Sequence, residues 1–293
     1  MRSLAAGLLI VASALAGPEG FASLKVLPGT RECGMGGVGV ASAFGPQAVA
    51  WNPAATASVP VFAASVNYVK WILDTHHQSL FLVRNLKRLN IGLGLASFSA
   101  GRFEFREDVP TEEPVGWFAP TDFTGYLNVA TALGPKGELG VTGRYFYSKI
   151  MTYQAAGPGL DLGMRLRPVK GLVVGASVVD FGKWLSYHRD PFWLPTRGRL
   201  GVCYELPFGE NRLILACDGS YFFFSRTAGF QAGTEFQLGR ILALRAGYDL
   251  LARANHLNFG FGLNIGDFRI DYSLAPLCYD LGAAHRLSLG FGY

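Results

Sequence analysis

From about residue 61 onward, the chain alternates apolar and polar side chains with a period of two. In LDLGMRLR, residues Leu160, Leu162, Met164 and Leu166 take one parity, and Asp161, Gly163, Arg165 and Arg167 take the other. HLNFGFGLNI sets Leu257, Phe259, Phe261, Leu263 and Ile265 against Asn258, Gly260, Gly262 and Asn264. RIDYSL, RLGVCYEL and the terminal HRLSLGFGY behave the same way. Successive side chains of a strand point to opposite faces, so this period specifies strands with one apolar and one polar side.

The apolar side is almost purely Leu, Val, Phe, Tyr and Ala. The polar side carries Arg144, Asp161, Arg165, Arg199, Glu205 and Asp218, then Glu235, Arg245, Asp249, Arg269, Asp271 and Arg286, interleaved with many glycines. A soluble sandwich would also alternate, but its strands are nearer to about 5–6 residues. These approach the roughly 9–11 residues that cross a bilayer at a tilt. In a transmembrane barrel the apolar face meets lipid and the polar face lines the lumen. The chain is therefore predicted to be all-β, an antiparallel transmembrane β-barrel. Leu162, Phe261 and Leu289 should face lipid; Arg165, Asn258 and Arg286 should face the lumen. Charges of opposite sign on the inner face are expected to pair, because a buried unpaired ion is costly.

The connections set the strand number. Short ones fall at Asn85–Lys87, Gly134–Gly137, Pro168–Gly171, Pro207–Asn211, Leu238–Arg240 and Gly266–Asp267. Longer or more irregular ones fall at about 70–75, 100–122, 151–157, 183–195, 222–226, 251–255 and 275–284. The two kinds alternate, as periplasmic turns and external loops do in outer-membrane barrels. They join about fourteen strands across residues 61–293, with GRFEFRED (101–108) read as outer loop or strand extension. The last strand carries Leu287, Leu289 and Phe291 outward and ends at Tyr293. An aromatic terminal strand suits the barrel-assembly machinery of Gram-negative outer membranes. That machinery and outer-membrane lipid are the expected partners.

The other end reads MRSLAAGLLIVASALA: a single Arg2, an apolar run, and an A-x-A pattern before Gly17. This is the arrangement of a secretory signal peptide, here assigned to residues 1–22, with cleavage after Ala16 or Ala22. Half the residues are hydrophobic and only 16% are charged, yet beyond the signal no run reaches the roughly 18 apolar residues that a membrane helix needs. The net charge of +5 comes without any Lys/Arg block, which argues against nucleic acid as a partner. Cys33, Cys203, Cys217 and Cys278 form no C-x-x-C pair, so neither a zinc site nor a dense disulfide framework is expected.

GMGGVG, Gly34 to Gly39, matches the dinucleotide fingerprint at every glycine. That fingerprint needs a buried strand before it, a helix after it, and an acidic residue about 20 positions on. Here LPGTREC precedes it, and no acid lies between Glu32 and Asp74. No cofactor is expected. The surrounding stretch, GTRECGMGGVGVASAFGPQAVAWNPAA, instead holds Arg31, Met35-Gly36-Gly37, Ala41 and Trp51-Asn52-Pro53-Ala54 in order. It resembles the N-terminal segment of the PorV/PorQ family, relatives of the FadL-type outer-membrane transporters of hydrophobic compounds. PTEEPVGWFAPTDF (Pro110 to Phe123), GLDLGMRLRP and FRIDYSLAP…LGAAHRLSLGFGY extend the resemblance over nearly the whole mature chain. It implies a fourteen-stranded barrel with residues 23–60 folded inside as a plug, marked by Arg31, Met35, Gly36, Gly37, Trp51, Asn52 and Pro53. The residues agree: the segment is too apolar to hang in the periplasm, Gly36, Gly37 and Gly39 suit close backbone packing, and Pro53 forces Asn52 out of helical geometry.

The sequence holds no H-E-x-x-H and no G-x-S-x-G, and His76, His77, His188, His256 and His285 fall in or near predicted outer loops. An enzyme is not expected. Trp117, Phe118, Trp184, Phe192 and Trp193 cluster at strand ends facing outward, either as a membrane-boundary girdle or as an apolar catch site for a lipid-like ligand. The PorV/FadL-type resemblance implies transport or binding of hydrophobic small molecules, or alternatively a non-transporting barrel that docks secreted proteins for a type IX secretion system.

Overall fold

The computed structural model describes residues 19–106, 112–187, 191–250, 256–278 and 281–292. Residues 1–18, His188 and Tyr293, which carry part of the sequence reading, lie outside them. The first strands are β1 (Phe62–Lys70), β2 (His76–Asn85), β3 (Asn90–Ser99), β4 (Phe103–Phe105), β5 (Gly116–Phe118) and β6 (Thr121–Leu133). Next come β7 (Gly137–Ile150), β8 (Tyr153–Leu166), β9 (Leu172–Gly182), β10 (Leu185–Ser186), β11 (Pro191–Phe192) and β12 (Arg197–Phe208). The chain continues through β13 (Asn211–Phe222), β14 (Thr227–Leu238), β15 (Leu242–Asp249), β16 (Leu257–Ile265), β17 (Phe268–Pro276) and β18 (Ala283–Phe291).

Among the described residues, fourteen of these strands form one closed antiparallel barrel. β1 closes the ring by pairing with both β2 (Ser65 opposite Phe81) and β18 (Val66 opposite Leu289). The remaining strands form two small hairpins, β4–β5 and β10–β11, carried by the longer connections. Residues 101–106 thus belong to an outer-loop hairpin, and residues 107–108 lie outside the described part.

Parity dictates facing along the barrel strands except at the β8–β9 bulge. Leu162, Phe261 and Leu289 are exposed on the outer wall, and Arg165, Asn258 and Arg286 are buried inside. Outward rings gather at both strand ends. Phe62, Phe268 and Phe291 meet at the short-turn end, and Phe123 meets Tyr147 at the long-connection end.

One predicted connection is corrected. Residues 151–157 are not a long loop; Met151 and Thr152 make the turn and β8 starts at Tyr153. The Ala-Ala-Gly-Pro run disguised the strand. Pro158 is tolerated because it pairs only with Tyr145 of β7, while the pairing with β9 begins one residue later, at Gly159. A proline without an N–H fits a strand where the next ladder is absent.

The N-terminal segment lies inside the ring. A short helix α1 (Thr30–Gly34) packs on β15 to β18, a 3₁₀ turn Pro46–Ala50 on β1 to β3, and a second turn Pro53–Ser58 on β6 to β8. One segment therefore touches the wall on several sides of the lumen. Its core is Val49, Ala50, Trp51 and Ala55 with Phe81, Val83 and Tyr126 of the wall.

Candidate functional site

The lumen is the candidate site, and the sequence builds it from two sets of inward residues, those of the segment and those of the strands. Arg31 on α1 donates through Nε and Nη2 to the two carboxylate oxygens of Glu235 on β14, at 2.8 and 3.1 Å. Its Nη1 donates to the Ser42 carbonyl at 2.8 Å, and its guanidinium lies over the Phe44 ring. Glu235 also accepts from Arg245, and Asp271 ties Arg245 to Arg269. A bidentate arginine–carboxylate pair fixes geometry as well as charge, so α1 is held in one orientation on the wall.

Met35 and Gly36 follow, pressed against β14 and β15. A Cβ on Gly233 or Gly247 would collide with the Met35 main chain, and one on Gly36, whose φ is +79°, would meet Tyr248 N. These wall glycines are what lets a second backbone lie flat on the strands. Gly37 keeps a positive φ of +86° and a Cβ there would make only ordinary contact with Asp249 and Gln231, whereas one on Gly39 would collide with Trp51. The amides of Gly39 and Val40 both donate to the Asp218 carboxylate, at 2.7 and 3.0 Å.

Trp51 is fully buried and donates Nε1 to the Pro28 carbonyl at 2.6 Å. Asn52 is extended (φ −148°, ψ 108°), caps the Pro53–Ser58 turn by accepting from Ala54 N, and donates to the Val40 and Met164 carbonyls. Pro53 thus ends one turn and opens the next, where its missing N–H costs nothing. Arg165 on β8 is bound to Glu138 at 2.7 Å and donates to the Ala43 carbonyl, while Asn128 accepts from Thr56 and donates to the Pro53 carbonyl. Arg144 bridges Asp161 and Asp180.

The inner charges named from sequence thus come together, with two qualifications. Asp249 is half-buried and accepts from Gln231. Glu205 is not in the lumenal network: it sits at the short-turn rim, 41% exposed, paired with Arg212. Its parity is inward, but it lies too near the strand end to be covered. Glu138, Asp180 and Arg197 belong to the set and were missed. Glu138 and Arg197 share parity with Arg144 and Arg199 and were legible by extension; Asp180 was not, because a bulge at β8–β9 turns it inward against its parity.

The outer aromatics separate. Trp117 and Trp184 are about half exposed; Phe118 stacks on Phe103 in the β4–β5 hairpin. Phe192 does not face outward: it is buried with Phe21, Phe146, Leu185 and Leu194, capping the lumen, and Trp193 stacks on Phe224 at 4.8 Å. Within the apolar connection at 183–195, Leu185, Phe192 and Leu194 therefore supply interior cover. His77, at the start of β2 next to the 70–75 connection, faces inward.

Above this packed layer, toward the long connections, lies a cavity of about 550 Å³. Cys33, Gly36, Gly37 and Trp51 form its segment side, Trp71 and Phe222 add aromatic wall, and Ser225 and Thr227 stand at its exposed mouth. Among the described residues no group of His, Cys, Asp and Glu could hold a metal ion.

No protein-family profile and no curated protein sequence matches the chain. Solved structures do. The Pseudomonas putida toluene transporter TodX superposes with a TM-score of 0.63 at 14% identity, covering 94% of this chain and 97% of that one. The CymD monoaromatic hydrocarbon channel gives 0.63 at 15%, covering 90% and 96%. A Pseudomonas aeruginosa FadL homologue gives 0.58 at 12%, covering 90% and 98%. At these identities the likeness is one of fold.

Proposed function

We propose that this protein is an exported outer-membrane barrel that passes hydrophobic small molecules, with residues 23–60 as its plug and no enzymatic activity. The observation that carries the reading is the chamber of about 550 Å³ at the long-connection end, walled by Trp51, Trp71 and Phe222 and floored by the N-terminal segment. A chamber of this size is within the range of small-molecule sites. The solved structures of like fold include a toluene transporter and monoaromatic hydrocarbon channels, which supports the same class of cargo here. The test is deletion of residues 30–54. Conductance in planar bilayers should rise while the barrel keeps its heat-modifiable gel mobility. Unchanged conductance from a folded deletion variant would overturn the plug.

A second reading, docking of secreted proteins as the PorV/PorQ resemblance implies, is favoured by the β4–β5 hairpin, which exposes Phe103 and Trp117. Co-purification with type IX secretion components, lost on replacing Phe103 and Trp117 by Ser, would support it. Saturable uptake of a monoaromatic into proteoliposomes, unchanged by the same replacements, would favour transport.

A further inference from the structure

The charges of the chamber do not balance as those of the packed layer do. Eight arginines are buried among the described residues: Arg31, Arg144, Arg165, Arg197, Arg199, Arg245, Arg269 and Arg286. Six have a carboxylate within ion-pair distance. Arg197 and Arg286 have none there, although they are only 6% and 5% exposed. Both line the chamber, beside Arg199 and Lys25, with Asp249 as the acidic residue of the lining.

Their donors are idle. Nε and Nη2 of Arg197, Nε and Nη1 of Arg199, and Nε and Nη1 of Arg286 meet no acceptor. Each guanidinium lies over an aromatic ring: Arg197 on Phe222 at 5.1 Å, Arg199 on Trp51 at 4.8 Å, Arg286 on Trp71 at 4.8 Å. Stacking uses the face of a guanidinium and leaves its in-plane N–H groups for an acceptor. A buried cation without a partner is costly, and a neutral hydrocarbon in the chamber would not relieve it. The rings and the volume exceed what a small inorganic ion requires.

We propose that the chamber binds an organic carboxylate with a planar apolar body. Arg197, Arg286 and Arg199 take the carboxylate, and Trp51, Trp71 and Phe222 face the body. This rests on the transport reading in treating the chamber as the solute's way in, and it narrows the cargo from hydrophobic small molecules at large to acids with an apolar body.

The test is isothermal titration of 2-naphthoate into the full chain in lipid nanodiscs, with 2-naphthamide as the uncharged isostere, decanoate as the flexible acid, and phosphate as the inorganic anion. Saturable naphthoate binding is expected, with weaker binding of the amide. R197Q and R286Q should each weaken it by about tenfold, as the loss of a hydrogen bond between charged groups does, and R197K and R286K should recover part of it. Heat-modifiable mobility checks that every variant is folded. Equal binding of acid and amide, or no effect of either Gln variant, would overturn the site. Tighter binding of decanoate would overturn the planar body, and displacement by phosphate at the naphthoate concentration would reduce the site to a counter-ion pocket. Uptake into proteoliposomes is read separately: saturable binding without uptake leaves the site standing and overturns transport.

Discussion

Replacing Glu235 by Ala tests whether the N-terminal segment is held by its buried charges. Glu235 accepts two hydrogen bonds from Arg31, one from Arg245 and one from Gln237, and no part of its side chain is exposed. In E235A, Arg31 keeps the Ser42 carbonyl and a carboxylate oxygen of Glu32 at 3.8 Å. Removing one partner of a buried ion pair costs about 3–5 kcal/mol, because the other charge stays behind uncompensated. The cost should fall on the docking of the segment rather than on the barrel, since the backbone of residue 235 remains paired with Ile214 and Arg245. The assay replaces Trp71, Trp117, Trp184 and Trp193 by Phe, so that Trp51 alone reports, and follows its exposure to acrylamide in a urea titration. E235A should lower the midpoint by the equivalent of that free energy. R31M/E235A should not restore it, because removing Arg31 as well leaves the buried Glu32 without its ion-pair partner. An unchanged midpoint in a folded E235A barrel would refute the assignment of this pair as the anchor.

Three further outcomes follow from the same geometry. Leu162→Arg and Leu289→Arg on the lipid face should each cost up to about 2–4 kcal/mol in folding into vesicles, and Asn258→Arg, on the lumenal face, much less; equal costs would overturn the facing. No disulfide should form between Cys203 and Cys217, because Cys203 stands opposite Ala216 with its side chain inward, while Cys217 stands opposite Val202 on the other face; a gel shift on reduction that C203S abolishes would contradict this. The mature chain should start at Gly17 rather than Ser23, since Gly20 donates to the Trp193 carbonyl, Glu19 accepts from Ser225 N, and Phe21 packs between Phe146 and Phe192; mass spectrometry of the purified protein decides.

Facing and strand number were legible because a two-residue period leaves little choice once one face must meet lipid. The N-terminal segment was legible as to residues but not as to partners. Arg31 could be named, yet nothing in the chain order joins it to Glu235, 204 positions away. The failures have local causes. Asp180 adopts a φ of +58° at the bulge, so parity assigned it to the wrong face. Tyr153 to Gly157 hid a strand behind small residues and a proline. Phe192 reads as a loop aromatic because burial in a lumen cap depends on Phe21, which a signal-peptide boundary at residue 22 would have removed.

The contrast between the two halves of the lumen bears on how a solute would move. In the packed layer every buried arginine among the described residues has its carboxylate, and the segment's carbonyls of Ala41, Ala43 and Ala55 accept from Arg165. Such a network is costly to open one bond at a time, since each loss leaves a buried donor unsatisfied. The chamber differs: its floor, Gly36 and Gly37, is fastened to the wall by a single bond from Arg199 Nη2 to the Gly37 carbonyl, at 3.0 Å, and by the amides on Asp218 that follow it. Arg199 is also one of the cations with idle donors. An anion on the idle Nε and Nη1 of Arg199 would sit on the same guanidinium whose Nη2 holds the Gly37 carbonyl, so one side chain serves both the chamber and that stretch of the segment. Arg199→Lys keeps the charge but not the fork of donors, and it should loosen the Gly37 stretch without a ligand. Amide hydrogen exchange over residues 36–41 should then be faster in R199K than in the native chain; equal rates would show that the floor is held by its packing alone.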